Sequence, residues 1–210
     1  MSKSKIILSV AVVILLTACD TKQSNKERLT EDKSISSEKR NNPDAVIILA
    51  QSEPDTLKGS LTAQAIGRIG DAEIKISYHS PSVRGRIVWG GLVPYDKVWV
   101  TGAHMATSLE FSNDVMIGNK TVPAGKYALF TIPGKVEWFV IINKNWQQHL
   151  VDEYDPNEDI VRVKVKPEIE QVNQERLRYV IEGDTEKEGE IVFYWERLEV
   201  SIPFRIVYSH

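Results

Sequence analysis

The chain has 210 residues, 42% apolar and 26% charged, with 26 basic against 29 acidic side chains and a net charge of −3. That composition excludes a disordered or coiled-coil chain and suits one packed core. It offers no basic excess for nucleic acid, and its single cysteine, Cys19, excludes an internal disulfide or a cysteine metal site.

In chain order, Lys3 and Lys5 precede an apolar run over 6–16. The run has the length of a signal-peptide core and falls short of the roughly 20 residues a spanning helix needs. It ends in Leu16-Thr17-Ala18-Cys19, which resembles the lipobox of bacterial lipoproteins. The resemblance implies a signal peptide over 1–18, cleavage between Ala18 and Cys19, a diacylated Cys19 sulfur and, usually, an acylated new amine. At about 0.8 kcal/mol per buried CH₂, two or three such chains anchor stably where one does not. The alternative is an ordinary signal peptide with an incidental cysteine. Loss of 1–18 removes Lys3 and Lys5 and no acid, so the mature charge is 24 − 29 = −5. Residues 19–44 carry six acids and six bases, with Leu29 and Ile35 as the sizeable apolar side chains, and read as a lipidated, flexible polar tether. The expected location is the cell envelope, with the outer membrane favoured over the inner. Asp20 resembles the inner-membrane retention signal of enteric bacteria, but that rule does not transfer between phyla.

Residues 45–210 are expected to form a single β-rich domain, because from Leu57 onward apolar residues alternate at period two. Strands are predicted over 61–68, 73–79, 97–101, 107–111, 115–117, 127–132, 138–142, 161–165, 176–182, 190–195 and 198–204. Residues 138–142 and much of 127–132 are apolar on both sides, so those two strands are expected at the centre of a sheet, joined through Pro133-Gly134-Lys135. Val161, Val163 and Val165 alternate with Arg162, Lys164 and Lys166, which predicts one wet, basic face. Short helical turns are predicted over 145–153 and 167–175. The expected fold is mostly β, an antiparallel β-sandwich or jelly-roll-like domain with little helix.

The densest motif runs from Ser80-Pro81-Ser82-Val83-Arg84-Gly85-Arg86 through Trp89-Gly90-Gly91 to Val98-Trp99-Val100-Thr101-Gly102-Ala103-His104. Arg84 and Arg86 could present paired guanidinium forks to a carboxylate or phosphate, or pin their own loop by pairing with acids of the same protein. With Pro123-Ala124-Gly125-Lys126-Tyr127, Phe130-Thr131-Ile132-Pro133 and Tyr154-Asp155, this ordered series resembles domain-of-unknown-function family 2911 from about Leu57 to Phe204. The family is found largely in Bacteroidetes as predicted lipoproteins and exported proteins. The resemblance brings no established activity. It sets Arg at Val100 and Asn-Glu at His104-Met105, so this chain departs there toward less charge.

Other candidates come from residue chemistry. His79, His104 and His149, with Glu110 nearby in sequence, could form a metal site in a jelly roll, although the second cupin histidine position holds Ala128. Asp155, Asn157 and Asp159 open like a calcium loop, but Ile160 and Lys166 stand where glycine and a bidentate Glu are required. Trp138 and Trp195 belong to strands and are expected in the core, whereas Trp89 and Trp146 fall in loops and could stack on a sugar. The leading expectation is a non-enzymatic, membrane-anchored lipoprotein, without a cofactor, that binds an envelope ligand or protein through Arg84, Arg86, Trp89, Trp99, His104 and Glu110. One alternative is an envelope or polysaccharide hydrolase using His104 with Glu110 or Asp159. The other is a metal-binding jelly roll through His79, His104 and His149.

Overall fold

The structure, a computed structural model, describes residues 46–48 and 57–208. The signal segment 1–18, Cys19 and the tether lie outside the described residues. Eleven strands follow in chain order: β1 (Val46–Ile48), β2 (Leu61–Ile69), β3 (Ala72–Ser80), β4 (Thr107–Phe111), β5 (Val115–Ile117), β6 (Lys120–Val122), β7 (Gly125–Ile132), β8 (Trp138–Asn143), β9 (Asp159–Val165), β10 (Glu168–Gly183) and β11 (Glu188–Ile206). They form a seven-stranded sheet, β1-β2-β3-β4-β7-β8-β9, and a four-stranded sheet, β10-β11-β5-β6, with antiparallel pairing throughout.

The period-two pattern explains how the sheets pack. In β3 every second residue, from Ala72 through Ile74 and Ile76 to Tyr78, is buried, and Leu177, Tyr179 and Ile181 of β10 answer from the other sheet. Apolar residues on the two inner faces thereby leave water together. At the centre, Trp138 meets Trp89 edge-on at 4.9 Å between ring centroids, while Trp99 stacks on Trp195 at 5.6 Å. Both strand tryptophans are core, as their positions predict.

β7 and β8 are interior strands joined through the 133–137 turn, and their second apolar face is also used. There Val100, Ala106, Ala128, Phe130 and Ile141 form a smaller cluster, with Trp146 and Tyr154 packed against it. A strand apolar on both sides thus has a layer on each. β9 closes the sheet with Arg162 and Lys164 exposed.

Three expectations change. Residues 97–101 make no strand, only a bridge from Trp99 to Thr131, because Thr101 takes φ 50° and turns the backbone away. Residues 145–153 form irregular turns, and 168–175 belong to β10, since cross-strand pairing outweighs the weak local helix preference. The runs 190–195 and 198–204 are one strand, kinked at Glu196 (φ 56°), and opposite it the β10 register slips twice. That bulged part of β10 leaves Ile169 80% and Val172 77% exposed.

Candidate functional site

The outer face of the large sheet carries the alternate, polar residues of β2, β3 and β4. Thr62 lies directly opposite His79, and Ser77 opposite Ser108, so these side chains project from one face. Gln64 Nε2 donates to Ser77 Oγ at 3.0 Å. Over this floor lean Met105 and Ala106 from one loop and Trp146 and Gln147 from another, enclosing a groove of about 270 Å³. The His104 ring meets His79 edge to face at 5.3 Å. Lys126 on β7 holds its ammonium 4.0 Å from the centre of the Trp146 ring. A depression of about 380 Å³ on the small sheet is larger but shallower and bordered by Met116, Asp184, Glu188 and Arg205. It gathers no imidazole or indole.

The loops over the groove are anchored from beneath. Thr101 is fully buried at φ 50°, an uncommon conformation for a β-branched residue. Its carbonyl accepts from Tyr179 OH at 2.7 Å and Thr107 Oγ1 at 3.0 Å. A side chain at Gly102 would come within 2.7 Å of Thr107 Oγ1 and 3.3 Å of the His79 carbonyl, so glycine lets this turn lie against β3. On the other side, Asn143 donates to Asp159 Oδ1 at 2.9 Å, and Tyr154 OH donates to Asp159 Oδ2 at 2.8 Å. Arg162 Nη2 donates to Tyr154 OH at 2.8 Å and to Asp159 Oδ2 at 3.0 Å. Burial, and then the Asp159 carboxylate, push the Tyr154 phenol up to about 12.

A family model described as "Protein of unknown function (DUF2911)" matches residues 60–204. The chain belongs to the DUF2911 family. No curated protein and no solved structure matches it. In this DUF2911 domain the dense motif is mostly scaffold. Arg86 donates from Nε to the Val83 carbonyl at 3.1 Å and from Nη2 to the Ser82 carbonyl at 2.6 Å. It pins its own loop, through carbonyls where acids were the expected partners. The Arg84 backbone amide donates to Glu175 Oε1 at 2.7 Å while the residue stays exposed.

The six candidate ligand residues therefore do not gather at one place. Trp89 and Trp99 turn inward to the aromatic core, the Trp99 indole donating to the Gly102 carbonyl at 3.1 Å. Glu110 stands between Lys75 and Lys126 on the outer face. Lys75 is four residues from His79 along β3, so Glu110 sits about 13 Å down the strand from the two imidazoles. Asp159 has donors on both carboxylate oxygens. The acid and base pairs sought for a hydrolase are thus separated or already engaged. His149 bridges Met105 through its backbone and holds its Nδ1 3.1 Å from Asp152 Oδ2. Among the described residues no three His, Cys, Asp or Glu side chains converge as metal ligands. Asp155 caps a single 3-10 turn, Pro156–Glu158, accepting from the Asn157 amide at 2.9 Å.

Thr62, Ser77 and Ser108 escaped the sequence reading because serine and threonine on a polar strand face carry no motif. Their shared parity with His79 was the available signal. Met105 and His104 stand beside the groove, and Val100 packs with Ala106 of its wall.

Burial lowers the pKa of His79, and the neighbouring His104 lowers it further. The unfolded chain then takes up this proton at higher pH than the folded one. Stability held above the unfolded value of about 6.5 is lost as pH falls through the folded value. Denaturation midpoints measured from about pH 8 to about pH 5 should fall, and His79→Gln should reduce that fall. An identical pH dependence in the variant would contradict the assignment.

Proposed function

We propose that the chain is an exported lipoprotein, cut between Ala18 and Cys19 and anchored to the envelope by lipid on Cys19, whose β-sandwich binds a ligand in the His79/Trp146 groove. The observation that carries the binding half is the row of polar side chains on β2, β3 and β4 beneath an overhanging indole. The His79 imidazole lines the groove and meets the His104 ring at its side. Anchoring rests on the lipobox resemblance alone. Among the described residues no helix is long and apolar enough to cross a membrane.

The two halves separate experimentally. In bacterial fractions the chain should sediment with membranes, and Cys19→Ser should shift it to the soluble fraction or leave it uncut. Mass spectrometry showing a cleaved chain with an unmodified Cys19 would remove the anchor. For the groove, amide chemical shifts recorded against a small-molecule fragment library should move at Ser77, His79 and Ser108. Shifts confined to the small sheet would move the site there.

A further inference from the structure

Resting on that groove, we infer that its ligand is a carbohydrate of one or two pyranose rings. At Ser77 and Ser108 the floor has a paired strand on each side, so the main-chain donors and acceptors there are spent on neighbouring strands. An extended peptide recognised by strand addition needs a free edge, and the middle of the floor, at Ser77 and Ser108, has none. Recognition there must come from side chains.

Those side chains are Thr62, Ser77 and Ser108 hydroxyls, the His79 imidazole, the Gln147 amide and the Trp146 indole. Each hydroxyl can donate and accept at once. Opposed residues on adjacent strands stand about 5 Å apart and alternate residues about 7 Å apart along a strand, a spacing that suits neighbouring ring hydroxyls. The exposed Met105, with Trp146 held between Lys126 and the Val100/Phe130 cluster, adds an apolar wall against which the C–H groups of a ring can rest. No carboxylate lines the groove, so a cationic ligand finds no counter-charge. A volume of about 270 Å³ lies just below the range of drug-sized ligand sites, roughly 300–1,000 Å³, which limits the ligand to a small one.

The test uses the full lipidated chain in a sugar-free detergent, with binding followed by calorimetry. The probes are disaccharides of glucose, of N-acetylglucosamine and of glucuronic acid, with trialanine and inorganic phosphate as comparisons. At least one disaccharide should bind. Trp146→Ala should weaken it at least tenfold, and Thr62→Tyr, which fills the groove from an exposed position, should abolish it with an unchanged melting temperature. Trialanine or phosphate binding that Thr62→Tyr abolishes, with no sugar bound, would overturn the ligand class and leave the groove standing. Sugar binding indifferent to Thr62→Tyr would overturn the groove itself. No binding by any probe at millimolar concentration would overturn the inference.

Discussion

Trp138→Ala should cost about 3–5 kcal/mol of folding stability, the range for truncating a large aromatic in a packed core. Trp138 is 1% exposed. Its ring meets Trp89 at 4.9 Å and Phe193 at 6.0 Å, one partner from a loop and one from the opposite sheet. The cavity left behind cannot collapse easily, because strands from both sheets fix its walls. Urea denaturation measures the effect, and near-ultraviolet circular dichroism should lose much of its aromatic signal. A loss under about 1 kcal/mol would mean that the four-tryptophan cluster is not packed as described.

Asp159→Ala should destabilise by roughly 2 kcal/mol, and Asp159→Asn should rescue little of it. Every polar side-chain partner of this carboxylate is a donor: Tyr154 OH, Arg162 Nη2 and Asn143 Nδ2. Its side chain is 9% exposed, while Arg162 at 40% keeps water as a substitute partner, which holds the cost below that of a fully buried pair. Asparagine would turn an amide donor toward one of those donors. Full stability in Asp159→Asn would mean that charge and acceptor count do not matter there. The same contacts bear on Tyr154: its phenol, pushed up to about 12 by burial and then by Asp159, should titrate lower in Asp159→Ala when followed by ultraviolet absorbance.

The sheets were legible because half-buried strands write their two faces in alternate letters. That is why 176–182 reads as a strand, with Leu177, Tyr179 and Ile181 buried on one face, and why 107–111 and 115–117 have the bounds found in the structure. The bulged half of β10 was not legible, since its Ile169 and Val172 are apolar yet face water and break the code. The site was read less well for a related reason. Trp89 sits in a glycine-rich loop, where an exposed indole is a reasonable expectation, but the loop folds inward and delivers it to the core. His79 could be singled out as a histidine, whereas its partners Ser77 and Ser108 become informative only when three strands are laid side by side.

Thr101 and Gly102 carry a consequence for how this domain tolerates change. Tyr179 reaches from the small sheet to the Thr101 carbonyl, and the next residue rests against the His79 backbone. A single short segment therefore relays the position of one sheet to the rim of a groove on the far side of the other. Under the proposed function, drift in the sandwich interior would be felt first as a change in ligand preference, and selection for a new ligand would constrain residues that never meet it.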